Sequence, residues 1–431
     1  MKKLILFALL FLASAMVHAQ STMHIYLKNG EHMEFNIADI DHIQFVTAEK
    51  GSKEEPYTVA ELLDACSGLA ADESLKDGAQ VYTRGIVTRI KETSTQYGNT
   101  SYYISDTAMG SKTMYVYRGK LLNATRVTDT NSLHVGDTVV VCGKVINFKG
   151  STLEYAQDNY LTELHRFNVT PSADKMQAAL ARLEFPKSSD NGNSMVVLHE
   201  ALLNDNTGER GINYCVEWDK AKKAQRWSCY QMYASLLETN TSRTSSSYPN
   251  DFFLPDDMQF SVDPYKGNGY DHGHICPSAD RLSSEEVNAQ TFFLSNMQPQ
   301  THSFNAGIWA RMEDQVRTWA TSFDTLYVCK GGTIDNEEQI ITYITNADET
   351  IPVPKYFFMA LLGKNYTGYS AMGFWVEHKD GYSSKVPLAD FAVSIDQLEQ
   401  LTGIDFFHNL PDDIENSVET IATSELKKLW F

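Results

Sequence analysis

Beyond its first twenty residues the sequence has no run of the ~18 consecutive apolar residues that a membrane span requires, so no membrane span is expected. Positive charge is also scarce. Lysine and arginine number 36 against 55 aspartates and glutamates, a net charge of -19 at pH 7. That balance excludes a protein that holds nucleic acid through a broad basic surface, because such binding is driven by cations that displace counterions from phosphates. An enzyme that only visits a polymer needs no such surface; a few local cations and a divalent metal suffice. The six cysteines (Cys66, Cys142, Cys215, Cys229, Cys276, Cys329) are far apart and form no CxxC, which excludes a disulfide-framework miniprotein and a thiolate zinc site. Cys215 and Cys229 flank a hairpin and can face one another across it, as a disulfide or as two buried thiols. Internal repeats and low-complexity tracts are missing as well.

What is present is ample apolar material: 431 residues, 42% hydrophobic and 11% aromatic, enough for about two or three domains with real cores. The opening MKKLILFALLFLASAMVHAQ has two lysines, an apolar run and small residues before Gln20, the pattern of a cleavable secretory signal over residues 1–19. No cysteine follows to carry a lipid anchor. The expected product is exported, periplasmic or secreted.

Residues 20–48 read as a small β unit, with Ile25 and Leu27 alternating, a turn at Asn29-Gly30, and Met33, Phe35 and Ile37 alternating again. Residues 49–56 are charged and read as a linker. Over 57–165 a helix TVAELLDAC precedes the strand-like runs VYTRGIVTRI, SYYISD, TMYVYRG, DTVVVCGKVINF and a final STLEYA, with Gly85 and Gly143 inside two of them. Five short strands with bends predict a small closed barrel. The run LHVGDTVVVCGKV resembles the late strand of an oligonucleotide- or oligosaccharide-binding (OB) fold, which implies a ligand of one of those kinds. Tyr82, Tyr102, Tyr103, Tyr115 and Tyr117 are candidates for a surface that stacks single strands, although tyrosine is also an ordinary strand residue. A helical connector spans 166–192. From 193 to 431 strands such as INYCVEW, RWSCYQMY, TLYVCKGG and YFFMALLG alternate with helices NAGIWARMEDQVRTWATS and VSIDQLEQLTG, a mixed α+β domain.

Within it, residues 270–280 read YDHGHICPSAD. On an extended strand His272 and His274 point one way while Asp271 and Gly273 point the other. The pair can be half of a zinc site with Asp280 or His302 as a third ligand, can contain a catalytic base, or can be a polar strand end without a role. Further on, FFLSNMQPQTHSFNAGIWARMEDQVRTW opens a helix at Ser303 or Asn305 that runs through Trp309, Glu313 and Arg317. Asn305 and Glu313 lie ~12 Å apart along such a helix and cannot easily grip one ion side by side. Helical side chains lean toward the N-terminus, so Glu313 can reach back toward a water on an ion held by Asn305, and Arg317 can pair with Glu313. Trp309 and Trp319 read as core.

These spaced motifs resemble the DNA/RNA non-specific endonuclease family, with sugar-non-specific nucleases and endonuclease G among its members. The residues that carry the resemblance are Asp271-His272-Gly273-His274, Pro277 and Ala279-Asp280, then Asn296, Pro299 and Gln300, then Asn305, Trp309 and Glu313. It implies a ββα-metal core and hydrolysis of phosphodiester bonds in DNA or RNA. It further implies His274 as general base, Asn305 as the direct ligand of Mg2+ (Mn2+ also suits), and Glu313 as an acceptor for water on that ion. Arg317 and Arg243 match phosphate-binding arginines, and Asn296 falls where a substrate-side or structural asparagine stands. The chemistry agrees independently: imidazole has the unperturbed pKa for deprotonating water near neutrality, and a hard cation with oxygen ligands suits the phosphoryl charge. One departure stands out, His272 in place of the family's arginine, a weaker phosphate clamp at neutral pH.

Overall fold

The computed structural model describes residues 22–26, 32–40, 48–108, 110, 112–129, 132–167, 170–189, 192–243 and 248–431. The expected signal segment and the Asn29-Gly30 turn lie outside these. Two compact units divide after Glu49. In the first, Thr22–Tyr26 pairs antiparallel with His32–Asn36, and the Asn36 side chain accepts from the Ala38 N–H to start a short 3-10 turn.

The second unit, Lys50–Phe431, is α+β and begins with a closed barrel. Its strands are Val81–Ser94, Asn99–Ser105, Met114–Leu122, Thr138–Gly143 and Tyr160–His165. They close in the circular order first, second, third, fifth, fourth, with the third and fifth parallel and the other neighbours antiparallel. Alternation sends Val81, Val87, Tyr102, Ile104, Val116, Val139, Val141 and Leu161 inward. The helix Val59–Cys66 plugs the barrel with Val59, Leu62 and Cys66. A capping box of Thr58 and Glu61 starts that helix, and Asp106 accepts from the free N–H groups of Val59 and Ala60.

Three expectations differ here. STLEYA does not close the barrel: Thr152–Tyr155 forms a hairpin with Val145–Phe148, and closure falls to Tyr160–His165, whose alternation Tyr160-Thr162-Leu164 against Leu161-Glu163-His165 is too weak to read. The charged linker is held in place, because Tyr82 N–H donates to Gly51 O at 2.9 Å and Lys50 pairs with Glu61 at 2.9 Å. Tyr102 is 1% exposed, since strand alternation puts it in the core. Of the other candidates, Tyr82 is half-buried, and Tyr103, Tyr115 and Tyr117 are in sequential contact at 4.8 and 6.2 Å between ring centroids, with Tyr115 only 8% exposed.

The rest of the unit is built on a seven-stranded antiparallel sheet, ordered Ser194–Leu202, Arg210–Asp219, Ala224–Met232, Thr325–Gly332, Tyr356–Asn365, Gly368–Glu377 and Ala392–Val393. Both faces are covered. One carries Val216, Trp218, Tyr230, Val328, Met359 and Phe374 against Trp309, Met312 and Val316 of a long helix. The other carries Cys215, Trp227, Cys229, Cys329, Phe358 and Leu362 against the helices Ile395–Thr402 and Asp412–Glu419. Each such large side chain contributes roughly 1.5–3 kcal/mol on burial, so the sheet holds what lies on either face rigidly. Cys215 and Cys229 are partners in the strand register and are buried free thiols. Barrel and sheet meet where Phe167 packs edge-on against Phe252 and Phe253.

Candidate active site

A short hairpin and the helix after it sit on the first face of the sheet. Asp271–His274 pairs antiparallel with Met297–Gln300, His272 opposite Pro299 and His274 opposite Met297. Gly273 is required by close approach: a Cβ there would meet Gln298 O at 2.6 Å and the Gln300 side chain at 2.4 Å. Gln298 in turn bonds Gln225 O and both backbone groups of Gly332, which fastens the hairpin to the sheet. The chain then enters a helix at His302, one residue before the expected start, passes through a π turn at Asn305–Trp309, and continues as Ala310–Ala320. A π turn shifts side chains off the regular helical register and here sets the direction of Asn305.

A cavity of about 430 Å³ opens between these elements, lined among others by Arg243, Tyr248, His272, His274, Asn305 and Glu313. Five of the seven residues singled out in the sequence therefore meet. His274 is half-buried. Its Nε2 is shielded and has no hydrogen-bond partner, while the ring's hydrogen bond runs to the His272 backbone. In the neutral ring one nitrogen keeps a lone pair that can accept a proton. Burial first, then the Arg243 charge, brings its pKa down to about 3, so the imidazole is neutral across the ordinary pH range.

Asn305 is oriented by Asp271, whose Oδ2 accepts from Asn305 Nδ2 at 3.0 Å and contacts His302 Nδ1 at 2.8 Å. With the amide nitrogen so engaged, Oδ1 is the atom left to face a cation. Glu313 meets Lys330, Nζ to Oε1 at 2.6 Å, with the lysine side chain 1% exposed. Burial raises the Glu313 pKa, and Lys330 opposes that rise. Oxygen donors from an amide and a carboxylate match a hard divalent cation, so the residues present fit such an ion.

Two expected residues are placed elsewhere. Arg317 does not pair with Glu313; its guanidinium donates to Asp280 Oδ1 at 2.6 Å and to Asp314, because Lys330 reaches Glu313 from the sheet. It is absent from the cavity lining. Asn296 is fully buried and cannot meet substrate. Its Oδ1 accepts from Cys276 N–H at 2.9 Å and its Nδ2 donates to Cys276 O and Thr291 O, both at 2.8 Å, which closes the loop joining the hairpin strands.

His272 takes an unexpected setting. It stacks on Tyr248 at 3.7 Å with 1° between planes and on Tyr265 at 4.3 Å, and its Nε2 lies 3.0 Å from Asp263. Burial lowers its pKa, and Asp263 opposes the shift. A shared zinc site with His274 does not fit. His272 is turned to Asp263, Asp280 is held by Arg317 and Tyr230, and among the described residues the histidine pair belongs to no group of three ligands able to share an ion.

Sequence reading missed Tyr248, Asp263, the Asp271–Asn305 bond and Lys330. Only Lys330 left a trace: a lysine inside the apolar strand TLYVCKGG must find a partner if buried.

Residues 203–413 match the family model described as DNA/RNA non-specific endonuclease. Over these residues the chain is similar to the DNA/RNA non-specific endonuclease family. Members of that family are metal-dependent nucleases. Among relatives, the mitochondrial nuclease EXOG of Homo sapiens is 28% identical over 48% of this chain and 60% of its own length. A nuclease of Syncephalastrum racemosum is 28% identical over 46% and 66%, and the mitochondrial nuclease of Saccharomyces cerevisiae 30% identical over 41% and 58%. The chain thus spans about three fifths of the length of the curated relatives it matches. The names of the human and yeast proteins place those nucleases in mitochondria, and this overturns the expectation of an exported protein. That expectation rested on residues 1–20 alone, an address read by a receptor and no property of the endonuclease domain.

Proposed function

We propose that this protein is a metal-dependent endonuclease that hydrolyses phosphodiester bonds of DNA and RNA with little sequence specificity, its domain being residues 193–431. The observation that carries the reading is the neutral His274 imidazole in a cavity shared with the oriented carboxamide of Asn305. The His274 imidazole takes the proton of an attacking water. Asn305 Oδ1 would hold a magnesium ion, or manganese, and Glu313, fixed by Lys330, would stand as an acceptor beside it. When bound, that cation supplies charge neutralisation for the phosphoryl group and the leaving oxygen. Arg243, exposed at the rim over the Phe292 ring at 4.8 Å, meets the phosphate, as family likeness implies. Arg317 acts from behind, holding Asp280 and the chain after His274. His272 adds little positive charge, because its ring is desolvated and turned to Asp263.

Low specificity follows from contacts confined to phosphate, which carries no sequence. The barrel, residues 57–165, is read as an OB-like module: the strand order is that of a five-stranded Greek-key barrel. Arg89 over Tyr103 at 4.1 Å, Lys91 over Tyr115 at 4.9 Å and Arg118 over Tyr117 at 5.0 Å form a cationic stripe on an otherwise acidic chain. That stripe favours an oligonucleotide ligand over an oligosaccharide. The test is a supercoiled plasmid, with an RNA beside it, incubated with magnesium or manganese: the parent nicks and His274→Ala does not. A parent that never nicks with either metal overturns the reading.

A further inference from the structure

The sheet face opposite the candidate active site carries a second set of oxygen donors. The helices Ile395–Thr402 and Asp412–Glu419 bring carboxylate oxygens of Asp396, Glu399 and Glu419 within 4.8 Å of one another. Asp396 and Glu399 are three residues apart on one helical face, where like charges repel. Glu419 ends the second helix, at the negative pole of its dipole, and neither helix has a basic residue in its last turn. Glu419 is also 7% exposed, and its Oε1 is shielded without any hydrogen-bond partner. A native protein seldom leaves such an atom orphaned.

The groups that face these carboxylates deepen the problem. Glu415 and Asp405 add negative charge, and no lysine or arginine is among the main influences on Glu399 or Glu419. Lys187 reaches only Asp405, at 3.8 Å. Glu399 accepts one backbone N–H, from Phe406 at 2.7 Å. Burial, then neighbouring carboxylates, raises Glu399 to about 7 and Glu419 to about 8.

We propose that Asp396, Glu399 and Glu419 form a structural binding site for a divalent cation of the calcium type, which clamps the helix Ile395–Thr402 to the helix Asp412–Glu419. The donors are hard oxygens with no imidazole or thiolate, which selects calcium-like ions over zinc or copper. Two positive charges answer three carboxylates and occupy the side of Glu419 that nothing else among the described residues serves. The site lies across the sheet from the cavity, in the cluster around Ile395, Leu398 and Val418, so its role is to hold the fold.

The test uses the full chain carrying Asn305→Ala, which removes the carboxamide from the other cation site, stripped with a chelator and titrated with calcium at about pH 7.5. Calorimetry should count one calcium per chain. Saturation at about a hundred times Kd should raise the melting temperature by about 5 °C. Adding Glu419→Gln should weaken calcium binding at least about tenfold and abolish the shift, while its melt in chelator equals or exceeds the parent's because one repelling charge is gone. Should that variant not fold, Asp396→Asn serves, with the same expected loss. A parent whose melt ignores calcium, with no stoichiometric binding, overturns the proposal in favour of carboxyls that share protons. So does a Glu419→Gln protein that binds calcium like its parent.

Discussion

The interior of the barrel and the interior beneath the candidate active site are made of different materials. Inside the barrel lie mainly valines, isoleucine, methionine and leucine, with Tyr155 OH bonded to Thr83 Oγ1 at 2.7 Å and the Tyr102 hydroxyl buried without a partner. Beneath the hairpin lie Asp280, Arg281, Asn288, Asn296, Gln298 and Lys330, each 2% exposed or less, and each bonded to backbone or an opposite charge. An apolar interior tolerates changes of shape at modest cost. A polar one is held by directional bonds, and so fixes directions as well as volumes. The barrel is held together; the catalytic region is aimed.

The contrast can be broken by experiment. The largest effect is expected at His274→Ala: plasmid nicking should fall by about 10²–10⁴-fold, the usual worth of a general base, with the melt almost unchanged. Retained nicking would remove the base from the mechanism. Next comes Lys330→Met, which strands the buried Glu313 carboxylate and should cost about 3–5 kcal/mol in chemical denaturation. Lys330→Met with Glu313→Leu should recover most of that stability and none of the activity. In the barrel, Ile104→Val should cost only about 0.5–1.5 kcal/mol and leave nicking intact; equal losses in the two interiors would erase the distinction.

A smaller effect concerns pH. The folded value of His274, about 3, lies below its ordinary 6.5. Stability tied to its neutral form is therefore present above about pH 6.5 and lost as pH falls toward 3. The acid limb of kcat/KM should accordingly stand well below 6.5, and Arg243→Ala, by removing a repelling cation, should move it upward; a limb at 6.5 in the parent contradicts the burial of this ring. The smallest effect is expected for Arg89→Glu with Lys91→Glu, which should weaken binding of a single-stranded oligonucleotide several-fold and flatten its salt dependence, without changing cleavage of a dinucleotide-sized substrate.

Much of the candidate site was legible because its residues are local in sequence. Asp271 to His274 form one strand, and Asn305 and Glu313 one helix, so periodicity places them without any knowledge of the sheet. Arg317 misled for the same reason. Helical spacing put it next to Glu313, yet Asp280 and Lys330 arrive from other elements and exchange the partners. Asn296 likewise stands in the right motif and turns inward. Tyr248 and Asp263, which decide what His272 does, are distant in sequence and carry no motif. The barrel was readable from its strand runs, apart from the closing strand Tyr160–His165, whose mixed residues gain meaning only beside Thr138–Gly143.

By itself the sequence determined the α+β class and the five-stranded barrel, because alternation and helical pitch are properties of a chain's neighbours, while the histidine, asparagine and glutamate of the candidate site came from resemblance to a family. Only the tertiary structure decided how far the His274 ring is desolvated, which way the Asn305 amide turns, who pairs with Glu313 and Arg317, and that three carboxylates of distant segments meet. Those depend on charge and hydrogen bonding between segments that the fold brings together, and no local pattern encodes a partner a hundred residues away.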